Sequence, residues 1–268
     1  VTRDYSSDTT KNVNWWTEFS FKIKNIYPNA YLVGENFDGW DKRIAPYYRA
    51  MDSQFDFSMY FHNYQYIYGK SQSGYGGSVY NVSQENDGAF NGKPYMFSTT
   101  SDLVDGNNKF YGGGRTNPIN APFTSNHDTP RQMNTMAGSS TQAPVSVGSS
   151  YQEIINRVKV DSAIKILSPG LTYIYYGDEI GMTSNFVIQN PDHDNQKDRF
   201  FRQPFKWSNN LTDEGICNNV SVSGDRIAWD TYNQNILKTP DEQRDDPNSL
   251  FNYVKALNAV KADKDFPN

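Results

Sequence analysis

Cysteine is nearly missing from the sequence: Cys217 stands alone among 268 residues. One thiol excludes an internal disulfide framework and a cysteine-based zinc site, and nothing nearby marks a base that would make Cys217 a nucleophile. Low cysteine use suits cytosolic proteins and many secreted bacterial ones alike, so it fixes no compartment. Long apolar runs are also missing. No stretch approaches the roughly 18 residues that a membrane span needs. Basic clusters are absent too: 25 Lys and Arg face 30 Asp and Glu, for a formal charge of −5 and a pI near 5.2. No nucleic-acid partner is expected from that balance. Histidine is scarce, and His62, His127 and His193 lie far apart with no metal-ligand spacing. Asp192, Asp194 and Asp198 are spaced like the opening of a calcium loop. Lys197 and Gln203, however, stand where that loop requires glycine and glutamate, so it is not an EF-hand.

Aromatic residues are plentiful, at 15% of the chain with 19 Tyr and 16 Phe. Tyrosine and tryptophan join a flat apolar face to a polar edge, which suits either an aromatic core or the C–H faces and hydroxyl edges of sugars. Four short β-like runs recur, each followed by a polar loop: Ala30–Gly34, Gln54–Phe61, Ala121–Asn126 and Thr172–Tyr176. Helical patterns separate them. Lys11–Ile26 sets Trp16, Phe19, Ile23 and Ile26 on one stripe. Ser150 to Glu153 reads as a capping box before Ile154, Ile155 and Val158. Asp246-Pro247 reads as an N-cap followed by proline, opening a helix with Leu250, Val254 and Leu257 on one face.

Alternation of apolar strands with helices argues for parallel βα units. A full eight-unit barrel takes about 250 residues, yet this length yields about four units. The surplus lies in two long polar insertions, at about 62–120 and 183–239. Loops of that size are usually functional or disordered, and 62–120, rich in Tyr and Gly, is expected to wall a sugar site.

The carboxylates cluster where strands end. Glu35 follows AYLVG, Asn126-His127-Asp128 closes APFTS, and Asp178-Glu179 follows TYIYYG. In a βα barrel such positions share the C-terminal rim, where catalysis sits. Paired carboxylates suit glycoside hydrolysis, one acid protonating the leaving oxygen and another carboxylate attacking or activating water. Singly, each also fits a structural role: Glu35 in a solvated helix N-cap region, and His127-Asp128 as a loop-capping pair.

Taken in order, Tyr31-Leu-Val-Gly-Glu35-Asn, Phe123-Thr-Ser-Asn-His-Asp128 and Pro169-Gly-Leu-Thr-Tyr-Ile-Tyr-Tyr-Gly177-Asp-Glu179 resemble three signature segments of the α-amylase family of glycoside hydrolases. Phe55-Asp-Phe57, Arg202-Gln-Pro204-Phe-Lys-Trp207 and Asp246-Pro-Asn-Ser-Leu250 extend the likeness over nearly the whole chain. The resemblance implies half of a (β/α)8 TIM barrel, holding strands five to eight and their helices. By that resemblance the N-terminal half-barrel and a C-terminal β-sandwich are expected to be absent from this stretch, and the partner implied is the missing half-barrel of the same polypeptide.

By the same resemblance Glu35 is the general acid/base, and Asp128 is the carboxylate that grips the sugar at the cleavage subsite. His127, Asn126, Tyr176 and Arg202 bind substrate, and Glu179 is structural. The family's nucleophile is an aspartate in a segment that the opening Val1-Thr2-Arg3-Asp4 only partly matches. It is expected two residues before Val1, which would leave this stretch alone inactive. Thr2 and Arg3 replace the family's Lys-His, and Asp4 is not at the nucleophile position. The implied activity is retaining hydrolysis of α-1,4-glucosidic bonds in starch or malto-oligosaccharides. An α-1,6-oligosaccharidase, a transglycosylase or a non-catalytic sugar-binding relative are the alternatives. No metal site is read here, although the family leaves calcium open for the complete enzyme. Secretion to the cell surface or beyond is the expected location.

Overall fold

A computed structural model describes residues 9–37, 44–57, 59, 60, 63, 67, 119–137, 149–184, 201–209, 220–222, 225–227, 233 and 236–266. The chain divides into two compact units. The first comprises Val1–Phe123, Ser168–Tyr173 and Pro267–Asn268, and the second Thr124–Leu167 and Ile174–Phe266. The proposed lid at 62–120, the acidic run at 192–198 and Cys217 fall almost wholly outside the described residues.

The first unit is a parallel sheet with an aromatic core. Helix α1 spans Thr9–Ile26, strand β1 Val33–Gly34, β2 Ser53–Phe55 and β3 Ile119–Ala121. They lie in the order β1-β2-β3, all parallel, with Val33 opposite Ser53 and Ser53 opposite Ile119. That is the order of successive βα units. The fourth expected run is not a full strand, but its Leu171 N–H donates to Asn120 O and its Tyr173 N–H to Pro122 O. Alternate donors reaching alternate carbonyls are the signature of a parallel ladder, so residues 171–173 extend the sheet beyond β3.

The strands are shorter than expected, for local reasons. Gln54–Phe61 is strand only to Phe55. There the Asp56 carboxylate accepts the Met59 N–H at 2.8 Å, which caps a turn of helix and ends the extended run. Ala121–Asn126 begins two residues earlier, at Ile119, and stops at Ala121.

Ile44, Tyr48, Phe57, Tyr60 and Phe123 form the core, with Phe55 and Tyr173 packed on it. Phe123 is its hub. It meets Phe57 edge-on at 4.8 Å and Phe55 at 5.6 Å, and it stacks on Tyr60 at 5.7 Å. Such pairs add roughly 0.5–1.5 kcal/mol each beyond area burial. Here the aromatic richness of the sequence goes into packing.

Helix α1 turns inward only part of the expected stripe, with Trp16 and Ile23 half-buried. Phe19 and Ile26 are exposed, whereas Val13 and Ser20 are buried. Thr17 Oγ1 donates to Val13 O at 2.7 Å. Lys24 Nζ reaches Asp52 at 2.8 Å, and the same carboxylate accepts the Leu32 N–H. The Lys24–Asp52 pair anchors the last turn of the helix.

The second unit is mainly helical. Helix α2 spans Gln132–Met136, α3 Ser149–Leu167, α4 Pro240–Arg244 and α5 Leu250–Lys261. A short antiparallel hairpin, β4 Val220–Val222 and β5 Asp225–Ile227, was not foreseen within the second insertion. Helix α3 packs on α2 and α5, and α5 on α4. Val158, Leu250 and Val254 are buried as their patterns predict.

Two caps differ from expectation. Ser150 lies inside α3, and Glu153 pairs with Arg157 one turn on instead of reaching back. The N-cap of α5 is Ser249, whose hydroxyl accepts the Asn252 N–H at 3.1 Å, while Asp246 caps the preceding turn through Asn248 N–H. A capping box does exist at Thr239-Pro240-Asp241-Glu242. Thr239 N–H donates to Glu242 Oε2 at 2.7 Å, and Thr239 Oγ1 accepts from Glu242 N–H. Thr239→Ala should weaken α4 by about 1 kcal/mol. Hydrogen exchange should show roughly fivefold faster exchange at the Glu242 amide, and unchanged exchange there would contradict the cap.

Candidate active site

Glu35 follows β1 directly, at the C-terminal end of a parallel strand, and is half-buried. Gly34 before it is buried against the Gln54 side chain, so a Cβ at that position would collide with the Gln54 amide. The Gln54 side chain therefore packs directly over the backbone of the residue before Glu35. Asp56 closes β2 and is buried. Its second oxygen accepts from Asn120 Nδ2 at 2.7 Å, and Asn120 Oδ1 accepts the Tyr48 hydroxyl. Asp56 is thus committed to holding β2, β3 and the helical turn together. All of these residues belong to the first unit.

The other candidates lie in the second unit, in the loop beyond β3. Asn126 Oδ1 accepts the Asp128 N–H at 2.9 Å, and Asn126 N–H donates to Thr129 Oγ1 at 2.9 Å. This closed turn fixes the His127-Asp128 backbone. One Asp128 oxygen sits 2.6 Å from Arg202 Nη2, and the other 3.3 Å from His127 Nε2. Arg202 Nε also donates to His127 O at 3.1 Å. Both members of the Asp128–Arg202 pair are near half exposure, where an ion pair adds little stability. Its effect is geometric: the guanidinium sets the direction of the carboxylate.

Tyr176 is partly exposed, and its hydroxyl donates to Gln203 O at 2.7 Å. Next to it, Tyr175 donates to Phe201 O at 3.0 Å, and burial pushes its phenol well above the ordinary range. The two hydroxyls therefore hold the segment on either side of Arg202. Gly177 follows with φ of 89°, and a Cβ there would run into Met182 and come within 3.1 Å of Arg131 Nη1. Only glycine fits both constraints.

Asp178 is buried. It accepts a hydrogen bond from Ser125 Oγ and lies 3.7 Å from the equally buried Lys165 Nζ. Glu179 bends back so that Oε2 accepts the Gly177 N–H at 2.8 Å. Burial raises its pKa, as does the nearby Asp178 charge, while the backbone hydrogen bonds and Arg131 oppose the rise. Glu179 is therefore engaged in the turn, in line with a structural role.

Arg131 was not foreseen as part of this arrangement. It is fully buried, with its guanidinium 4.8 Å from the Tyr175 ring centroid and 4.7 Å from that of Tyr176. Nothing in a sequence distinguishes a buried arginine after Asp128-Thr-Pro from an exposed one. Among the described residues no three His, Cys, Asp or Glu side chains group to hold a metal, and no helix is long and apolar enough to cross a membrane.

The parallel βα fold agrees with comparisons to known proteins. The family model for the α-amylase catalytic domain matches residues 2–266. The chain belongs to the α-amylase family. Among curated family members, Alpha-amylase 3 of Dictyoglomus thermophilum is 28% identical over 95% of this chain and 39% of its own. Alpha-amylase SusG of Bacteroides thetaiotaomicron is 25% identical over 90% of this chain and 26% of its own. Of solved structures, Eubacterium rectale Amy13B superposes with a TM-score of 0.58 at 23% identity, covering 95% of this chain and 40% of that one. The chain thus spans under half the length of the α-amylases it matches, and its fold is that of part of their catalytic barrel.

The raised pKa of Glu179 gives a testable sign. A carboxyl whose folded pKa lies above its ordinary 4.5 favours folding most when protonated, and that contribution fades as pH rises through the folded value. Glu179→Gln keeps an acceptor for Gly177 N–H and never ionises. It should raise the melting temperature relative to wild type near neutral pH, and the gap should shrink as pH falls toward 4.5. A gap that is constant or widens with acid would contradict the burial account.

Proposed function

We propose that the complete protein is a retaining α-glucan hydrolase acting on α-1,4-glucosidic bonds of starch or malto-oligosaccharides. The observation that carries this reading is the setting of Asp128. Its carboxylate is directed by Arg202 on one oxygen and faces His127 on the other. A carboxylate offers about four lone-pair sites, so acceptor capacity remains for the vicinal hydroxyls of a sugar. His127 and Asn126 shape the loop that presents it, and Tyr176 and Arg202 line the same side. Family membership supports glycoside chemistry, and the two curated relatives are named as α-amylases.

In this mechanism Glu35 protonates the glycosidic oxygen as an aspartate attacks the anomeric carbon. The resemblance assigns that attack to a family aspartate that no residue of this sequence matches. Glu35 then takes a proton from water, which frees the covalent glycosyl intermediate with retained configuration. Asp128 acts by hydrogen bonds prearranged for the distorted sugar. Polymeric starch cannot cross a membrane, so the same reading places the enzyme outside the cell or on its surface.

Glu35→Gln removes proton donation and leaves shape intact. Its loss on natural glucans should be about a hundred- to ten-thousand-fold, and it should shrink in the glycosylation step on glycosyl fluorides, whose leaving group needs no proton. Asp128→Asn should depress both substrates alike. Equal losses for Glu35→Gln on both substrate types, in both steps, would move the proton donor elsewhere.

A further inference from the structure

Arg131 is a cation placed where water does not reach, and the contacts around it lead to Asp128. Its Nη1 donates to Tyr176 O at 2.6 Å, and its guanidinium lies against both tyrosine rings, which meet each other at 61° and 4.6 Å. The hydroxyls of those tyrosines donate to the carbonyls of Phe201 and Gln203, the two neighbours of Arg202. Arg202 in turn grips the Asp128 carboxylate and the His127 carbonyl. Arg131 also follows Asp128 by three residues in the chain, across the turn closed by Asn126 and Thr129. The Asp128 loop is therefore held at two points: from the interior by Arg131, and from the solvent side by Arg202.

We propose that Arg131 is a positioning residue for Asp128, acting through Tyr175, Tyr176 and the Phe201–Gln203 segment that carries Arg202. The proposal rests on the reading of Asp128 as the sugar-gripping carboxylate. The choice of side chain supports it. Filling the volume would need only an apolar residue, and an apolar replacement for a buried charge is often neutral or stabilising. Neither Nε nor Nη2 of Arg131 has a hydrogen-bond partner among the described residues, so the charge carries a desolvation cost that packing alone does not explain. A planar guanidinium contacts two rings and donates in the same plane, which a lysine ammonium cannot reproduce. Gly177 keeps the approach open, since a Cβ there would crowd Nη1.

The test uses the complete protein with malto-oligosaccharide as substrate. Arg131→Met and Arg131→Lys are compared with Arg202→Ala and Asp128→Asn, with folding checked by near-ultraviolet circular dichroism. Arg131→Met should lower kcat by about a hundred-fold, the size expected for a small misplacement of a catalytic group, with KM little changed. Arg131→Lys should fail to restore it. In the Arg202→Ala background Arg131→Met should cost little more, because both act on one carboxylate. Should Arg131→Met not fold, Tyr175→Phe, which removes the bond to Phe201 O and leaves the substrate-side Tyr176 in place, enters the same cycle, with the same non-additivity expected. A folded Arg131→Met with wild-type kcat, or losses that multiply independently with Arg202→Ala, overturns the proposal while Asp128→Asn stays inactive. Full activity in Asp128→Asn overturns both this proposal and the reading beneath it.

Discussion

Charge withdrawn from water organises the second unit. Arg131, Asp161, Lys165, Asp178 and Lys206 are all at 2% exposure or less. A buried charge is costly to the extent that partners do not replace its hydration, so the bonds these side chains do make constrain what surrounds them. Asp161 accepts from Gln132 Nε2 at 2.6 Å, which ties α2 to α3. Lys165 and Ser125 converge on Asp178, joining α3 and the loop beyond β3 to the turn at 178–180. Lys206 donates to Leu237 O, and burial holds its pKa below the ordinary lysine range. These ties leave little freedom to the loop that bears Asn126, His127 and Asp128.

The first unit solves a different problem with a different material. Its interior is a cluster of aromatic rings around Phe123, and its polar links, Asp52 with Lys24 and Asp56 with Asn120, sit where elements begin or end. Apolar packing is not directional. The carboxylate and amide links supply the register, and the close approach of Gln54 to Gly34 fixes the backbone from which Glu35 projects. Adaptable packing with a few directional bonds is a common way to hold a reactive side chain on a rigid strand end.

The order of elements was more legible in the sequence than their boundaries. The βα succession was legible because apolar runs and helical stripes alternate, and the parallel pairing of β1, β2 and β3 follows it. Strand lengths were not, because Asp56 ends β2 by capping a turn inside a run that alternates like a strand. Helix starts misled where two competent signals compete. Ser150 and Glu153 fit a cap but Arg157 claims the glutamate, whereas the true box at Thr239–Glu242 begins on the last residue of a stretch read as insertion. Asn126, His127 and Asp128 were readable as adjacent polar residues after a strand. Tyr176 and Arg202 entered only through the family likeness, and Arg131 not at all. Its role depends on two rings some 45 residues away in the chain, and such a meeting leaves no local pattern.

The central proposal is that Glu35 serves as proton donor and Asp128 as sugar-gripping carboxylate in retaining cleavage of an α-glucan. Proton NMR of the first anomer released from a malto-oligosaccharide by the complete protein tests it most directly. The account predicts that the α-anomer appears first and mutarotates afterwards, and that folded Glu35→Gln and Asp128→Asn proteins release little of either. Initial release of the β-anomer, or undiminished α-anomer from the Asp128→Asn protein, would contradict it.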